Sequence, residues 1–239
     1  MTTTIQFYQD KGHECSYLKD QQARNIYPDP NLTMSNGLYS QLIQLGFRRS
    51  GDFSYRPYCE TCSACVPVRI NTAEFSPNRS QRRCLKRNKD VSMTLLEPVF
   101  NQDHFELYQR YLAGRHLNGG MDNPTIDNYM GFIDSNWSDT ALLEFRIDTQ
   151  LVAVAVTDFV HDGASAFYTF FDPEFAARSL GTYAILQQIE MTKQNHRPYL
   201  YLGYWIKDCQ KMVYKQNFSG LEAFSEHRWH PFKQIKTFE

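Results

Sequence analysis

The chain has 239 residues and nearly balanced charge, with 25 Lys and Arg against 26 Asp and Glu and a formal net charge of −1. Apolar residues make up 42% and aromatic residues 15% of the chain. These values predict a globular protein with a sizeable core and exclude a disordered chain or a histone-like binder. No stretch resembles a signal peptide or a membrane span, so we expect a cytoplasmic protein with no membrane partner and with reduced cysteines.

Turn and cap residues predict the elements of the first part of the chain. We predict a helix from Ser35 to Gly46, a hairpin over residues 47–55 and a strand over residues 66–70. Ser76 followed by Pro77 is typical of an N-cap with proline at the first helical position. This pair predicts a basic helix that continues to about Asn88.

The second part alternates helices and strands in an order that predicts an α+β fold. A strand over residues 91–96 precedes the loop at Glu97-Pro98, where we place the boundary between an N-terminal module (1–98) and a C-terminal domain (99–239). We then predict helices over 103–117 and 125–133 with Gly119-Gly120 between them, strands over 141–147, 152–160 and 165–171, a helix over 179–194 and a strand over 199–204.

A cluster of cysteines lies in the N-terminal module. Cys59, Cys62 and Cys65 are spaced as C-x2-C-x2-C, and Cys15 can supply a fourth thiolate. Four thiolates are a ligand set for Zn²⁺ or an iron–sulfur cluster. The alternative is a knuckle of reduced structural thiols.

A run of basic residues follows the cysteines. Six of the eleven residues from 79 to 89 are basic and none is acidic. Unpaired cations on one helix favour contact with nucleic-acid phosphates, and the alternative is a solvated helix face. The residues predicted to contact these phosphates are Arg79, Arg82, Arg83, Lys86 and Arg87.

The order of elements in the C-terminal domain resembles that of the GCN5-related N-acetyltransferases. In that fold a loop of the form R/Q-x-x-G-x-G/A holds the pyrophosphate of acetyl-CoA at a helix N-terminus. Here the loop begins with Arg178 and keeps Gly181, but Tyr183 stands where a small residue is usual. The resemblance therefore implies an acyltransferase-like domain that no longer uses acetyl-CoA.

Several motifs are similar to those of the arginyl-tRNA–protein transferase family, in particular its short bacterial branch, the aspartate/glutamate leucyltransferases. The C-terminal motif runs from Tyr201 to Phe218. The N-terminal motifs are His13 to Leu18, Gly46 to Gly51, Tyr55 to Pro57 and Arg79 to Arg83. The similarity covers residues 13 to 232, which is nearly the whole chain.

The resemblance implies a reaction and its partners. Members of this branch move leucine from leucyl-tRNA to the N-terminal amine of proteins that begin with Asp or Glu, which marks those proteins for degradation. The donor is an activated ester, so the chemistry requires no cofactor. The alternatives are arginyl-tRNA as the donor, an ordinary acetyltransferase, or a tRNA-binding protein without enzymatic activity.

Candidate residues for this reaction lie near the end of the predicted sheet. Lys211 and Lys215 share with Lys207 the spacing of one helical face, and with Arg178 they are the cations predicted to bind the acceptor's carboxylate. Asp172 and Tyr204 are predicted to accept or relay the proton of the attacking amine. Each of these residues can instead have only a structural role.

Overall fold

The computed structural model describes residues 5–115 and 124–234. The strands are β1 (Phe7–Gln9), β2 (His13–Glu14), β3 (Gln22–Ala23), β4 (Asn25–Pro28), β5 (Arg48–Ser50), β6 (Phe53–Pro57), β7 (Val66–Asn71), β8 (Val91–Leu96), β9 (Asp139–Ile147), β10 (Gln150–Val160), β11 (Gly163–Phe171), β12 (Tyr199–Trp205), β13 (Leu221–Ser225) and β14 (Arg228–Pro231). The helices are α1 (Asn36–Gln44), α2 (Arg79–Arg87), α3 (Gln102–Arg115), α4 (Ile126–Ile133), α5 (Leu180–Gln194) and α6 (Gln210–Val213), with short 3-10 helices at Pro173–Arg178, Tyr214–Asn217 and Phe232–Gln234.

Eight strands form the central sheet, in the order β14-β13-β7-β12-β11-β10-β9-β8. Strands β8 to β11 pair antiparallel, and β12 pairs parallel to β11 after the chain has crossed over through α5. This is the order predicted for an acyltransferase-like domain, so the α+β fold class is confirmed. None of the helices in the described residues combines the length and hydropathy of a membrane span.

The core lies on both faces of this sheet because its central strands are apolar on both sides. On β10, Ala153 and Ala155 pack in the cluster that contains α5, whereas Val154 and Val156 pack in the cluster that contains α3 and α4. Alternate residues of a strand point to opposite faces, so a continuous apolar run fits a strand that is covered twice.

The N-terminal residues form a second, small sheet in the order β1-β4-β6-β5. A buried ion pair joins it to the central sheet: Arg49 of β5 lies 2.8 Å from Asp158 of β10, and both side chains are fully buried. Tyr39 of α1 and Thr140 of β9 also donate to this carboxylate. The guanidinium of Arg49 further lies over the ring of Phe167, 4.1 Å from its centroid. These buried contacts of Arg49 therefore hold β5 beside β11.

Most predicted elements agree with the structure within a few residues. Helix α2 differs, because it begins after Asn78 instead of at Ser76. The Asn78 side chain accepts from the Gln81 backbone N–H, and the Gln81 side chain accepts from the Asn78 N–H, so this capping box sets the start. The Gly119-Gly120 break and the last residues of the helix predicted to end at residue 117 lie outside the described residues.

The predicted boundary near residue 98 crosses the central sheet. Two strands of this sheet, β7 and β8, precede residue 98. Strand β7 lies between β12 and β13, and β8 is the edge strand at the other end of the sheet from β14. Residues on both sides of the predicted boundary thus share one sheet. The small sheet involves only residues up to Pro57.

Candidate active site

Strands β11 and β12 separate along their length and leave an opening in the central sheet. They pair only from Gly163 to Ser165 on β11 and from Tyr199 to Tyr201 on β12. Strand β12 then shifts its register relative to β7, its other neighbour, between Tyr201 and Gly203. Beyond this point the carbonyl oxygens of Ala166 and Phe167 on β11 accept hydrogen bonds from a side chain of the small sheet.

Arg48 of β5 spans this opening. Its Nη2 donates to the carbonyl oxygens of Ala166 and Phe167 on β11, at 3.3 Å each. On the other side its guanidinium lies against Gly203 of β12, where an added Cβ would be 1.8 Å from Nη1. The absence of a side chain at Gly203 therefore makes room for the arginine. Arg48 is a site residue that the sequence analysis did not name, although it lies in the Gly46 to Gly51 motif.

Lys215 lies beside Arg48 and is 6% exposed. Its Nζ donates to the carbonyl oxygen of Tyr204 on β12 and contacts Sδ of Met212 at 3.2 Å. Burial lowers the pKa of Lys215 to about 7, and the positive charge of Arg48 acts in the same direction. Of the three cations predicted to bind the acceptor, Lys215 is the one that lies at the opening.

Neither cation has an acidic partner in the part of the chain that the structure describes. Within residues 5–115 and 124–234, no ion pair joins Arg48 or Lys215 to a carboxylate, and Nε of Arg48 is buried without a hydrogen-bond partner. The other titratable groups that influence Lys215 are the thiols of Cys209 and Cys65. Buried positive charge without a counter-ion is expected to attract an anionic group of a ligand.

A cavity of about 430 Å³ lies between the small sheet and the end of β12. Aromatic rings form part of its wall: Tyr17, Tyr27, Tyr55 and Tyr204. Burial raises the pKa of Tyr17 to about 12, so this hydroxyl stays protonated at neutral pH. A wall of neutral tyrosines is suited to stacking against the unpaired bases of a tRNA end.

The four cysteines of the predicted metal site line the same cavity: Cys15, Cys59, Cys62 and Cys65. All four are free thiols, and burial raises the pKa of Cys65 to about 12, which opposes formation of a thiolate. Among the described residues, no three His, Cys, Asp or Glu side chains are arranged to hold a metal ion. The structure thus brings the thiols together without forming a ligand set, and the metal site stays a prediction.

The two residues predicted to handle the proton have clear structural contacts. The Tyr204 hydroxyl lies 2.9 Å from the carbonyl oxygen of Gly46, to which it donates, and its pKa is raised well above the usual value by burial. Asp172 caps the 3-10 helix that follows β11 by accepting from the Glu174 N–H, and it lies 3.3 Å from Arg110. Their catalytic roles stay predictions.

Arg178 and Lys211 have other surroundings. The guanidinium of Arg178 forms two hydrogen bonds with Asp90, at 2.8 and 2.9 Å. Lys211 is exposed on α6, and Lys207 lies in a turn before that helix. Because α6 has only four residues and a 3-10 helix follows it, the three lysines do not share one helical face.

The basic helix α2 lies against the loop that follows β11. Its Asn88 side chain donates to the carbonyl oxygen of Arg178, and the Arg87 side chain donates to that of Ala177. The five predicted tRNA contacts are all exposed: Arg79, Arg82, Arg83, Lys86 and Arg87. They form a positive surface next to the loop that follows β11.

Comparison with known proteins shows which family the chain resembles. The family model for the N terminus of arginine-tRNA-protein transferase matches residues 13–83, and that for the C terminus matches residues 103–225. An aspartate/glutamate leucyltransferase of Nitrosococcus oceani is 50% identical over 229 residues, covering 95% of this chain and 96% of its own. Another, of Hahella chejuensis, is 48% identical over 226 residues, covering 95% and 97%.

These matches identify the class and then the family. The protein is an enzyme of the aminoacyltransferase class. The chain belongs to the arginine-tRNA-protein transferase family. A solved structure, L-PGS from Bacillus licheniformis, aligns with a TM-score of 0.47 and 10% identity over 60% of this chain and 46% of its own.

Proposed function

We propose that the protein transfers leucine from leucyl-tRNA to the α-amino group of proteins that begin with Asp or Glu, and that the transfer takes place at the opening between β11 and β12. The observation that carries this proposal is the pair of cations at the opening, Arg48 and Lys215, for which the described residues provide no carboxylate. An acceptor that begins with Asp or Glu brings the missing negative charge. The names of the relatives support leucine as the donated amino acid.

Arg48 is the group best suited to recognise the acidic side chain. A guanidinium remains charged at any working pH and can bind a carboxylate with two hydrogen bonds. A charge-assisted bond in a partly buried site contributes about 1.5–3 kcal/mol. That is enough for roughly ten- to hundredfold preference for Asp over the uncharged Asn.

The leucyl-tRNA approaches from the side of α2 in this proposal. The exposed arginines and lysine of α2 bind phosphates, and the unpaired acceptor end of the tRNA reaches the tyrosine-lined cavity. The ester is already activated, so the enzyme has to hold ester and amine together and stabilise the tetrahedral intermediate. No covalent enzyme intermediate is required.

The test is a transfer assay with labelled leucyl-tRNA and four peptides that differ only in the first residue: Asp, Glu, Asn or Ala. We expect label on the Asp and Glu peptides and little on the other two. Arg48→Gln should reduce the Asp-over-Asn preference about tenfold or more. Transfer from arginyl-tRNA alone would overturn the assignment of the donor, and equal labelling of all four peptides would overturn the assignment of the acceptor.

A further inference from the structure

We propose that Lys215 is the catalytic base of the transfer: its Nζ takes the proton from the attacking α-amino group and passes it to the departing tRNA oxygen. This inference rests on the proposed function and assigns a role within the same site. It gives the two neighbouring residues different roles: Arg48 carries a permanent positive charge, and Lys215 transfers the proton.

The hydrogen bonds of Lys215 fit a neutral amine. A neutral lysine has two N–H groups and one lone pair, whereas an ammonium has three N–H groups. Nζ has two acceptors in the described part of the chain, the Tyr204 carbonyl oxygen and Sδ of Met212. When both N–H groups are used in this way, the lone pair remains for a third group. That group is the N–H of the acceptor amine.

The charges around Lys215 favour the neutral form. Arg48 approaches from β5, Cys65 from the segment before β7 and Cys209 from the residue before α6. The hydroxyls of Tyr17 and Tyr55 lie near Arg48 and Cys65. A thiol opposes loss of the lysine proton only as a thiolate, and burial keeps Cys65 protonated. Among the described residues, no carboxylate is one of the groups that act on Lys215. With a pKa near 7, about half of Lys215 is neutral at neutral pH and able to act as a base.

The proposed step balances in atoms and charge. The free α-amine attacks the carbonyl carbon of the leucyl ester, and a C–N bond forms as the carbonyl oxygen becomes an oxyanion. Lys215 takes one proton from the attached nitrogen. The oxyanion then re-forms the carbonyl, the bond from carbon to the tRNA ribose oxygen breaks, and the Lys215 ammonium protonates that oxygen. The products are a peptide bond and a free tRNA hydroxyl, and Lys215 is neutral again.

The experiment measures kcat for leucyl transfer to a saturating Asp peptide from pH 6 to 9. For the parent protein we expect kcat to rise with pH as Lys215 loses its proton and then to level off; because the acceptor's carboxylate offsets the charge of Arg48 in the complex, this rise lies above the pKa of Lys215 in the free enzyme. Lys215→Met should lower kcat roughly a hundred- to ten-thousandfold, with little change in KM for the peptide, and should remove this rise. Lys215→Arg restores the charge without a usable base, so we expect it to stay as slow as Lys215→Met.

A second variant tests the proposal without altering Lys215. Arg48→Gln removes the neighbouring charge, so the rise of kcat should move to higher pH. Recovery of the parent kcat in Lys215→Arg would overturn the base and assign Lys215 to charge recognition. An unmoved pH profile in Arg48→Gln would also overturn it. A parent protein that transfers no amino acid to the Asp peptide would instead overturn the proposed function itself.

Discussion

Lys215 shows how a single buried side chain can combine a catalytic role with a cost in stability. Its ammonium is removed from water and lies next to another cation, so folding favours loss of its proton. The unfolded chain, with a lysine pKa near 10.4, binds more protons than the folded chain between about pH 7 and 10. In that window the contribution of Lys215 to the free energy of unfolding rises with pH, and below pH 7 its full cost is present.

We therefore expect Lys215→Met to change stability in a pH-dependent way. The gain in the free energy of unfolding relative to the parent should be largest at pH 7 and below. It should shrink by about 2–3 kcal/mol between pH 7 and pH 9. Urea denaturation of both proteins in reductant measures this, and the raised pKa of Cys65 cancels because both proteins share it. A difference that does not vary with pH would show that the folded lysine keeps its proton.

Gly203 is the second residue on which the site depends. Its φ of +75° is unfavourable for other residues, and an added Cβ would collide with Nη1 of Arg48. We expect Gly203→Ala to lower the free energy of unfolding by about 1–3 kcal/mol and to raise KM for the Asp peptide. Thermal denaturation and transfer kinetics are the measurements.

Gly131 provides the control for that substitution. It lies in helix α4, and no atom lies within 4 Å of the Cβ that alanine would add. Gly131→Ala should therefore increase stability by about 0.5–1 kcal/mol and leave KM as it is. If the two variants show the same change in stability and in KM for the Asp peptide, the role given to Gly203 is contradicted.

Helix α2 is the element that we expect to control tRNA affinity. Its outer face carries exposed cations, whereas its inner face is fixed by buried Gln81 and Cys84. Arg83→Glu should weaken binding of leucyl-tRNA and reduce the slope of log affinity against log salt by about 0.7–0.9. Filter binding over a series of salt concentrations measures the slope.

The matched control is Lys193→Glu, which changes the charge by the same amount. Lys193 is exposed in the last turn of α5, whereas α2 packs beside the loop before the first turn of that helix. Its reversal should leave the salt slope unchanged. If Arg83→Glu also leaves the salt slope unchanged, the basic face of α2 faces solvent and does not contact the tRNA.

For the whole molecule, the Arg49–Asp158 pair should make the two sheets unfold together. Arg49→Met leaves Asp158 buried without its partner, and we expect a loss of about 3–5 kcal/mol. Adding Asp158→Leu to that variant should recover only part of the loss, since no charge then remains buried but the hydroxyls of Tyr39 and Thr140 lose their acceptor. Urea denaturation followed by tryptophan fluorescence and by far-UV circular dichroism should show one coincident transition in the parent protein.

An exposed ion pair of the small sheet serves as the comparison. Arg24 pairs with Glu60, which is mostly exposed, so Arg24→Met should cost no more than about 1 kcal/mol. Separate transitions for the two sheets in the parent protein would contradict the joining role of Arg49.

Local sequence determined the elements and most of their ends. The strands of the central meander, the cap at Ser35 and the length of α5 all depend on residues close in the chain, whose periodicity and capping are readable from one sequence. The motifs around Arg48 and Lys215 likewise indicated the family. The α+β class followed from the order of these elements.

Only the tertiary structure decided which of the many cations form the site. The sequence predicts Arg178, Lys211 and Lys215 together as cations that bind the acceptor, but Arg178 pairs with Asp90, Lys211 faces solvent, and Lys215 is buried beside Arg48. Arg48 and Lys215 are far apart in the chain, and their proximity depends on β5 lying beside the opening between β11 and β12. Because a local pattern contains no information about such distant contacts or about burial, the chemistry of this site becomes visible only in the folded protein.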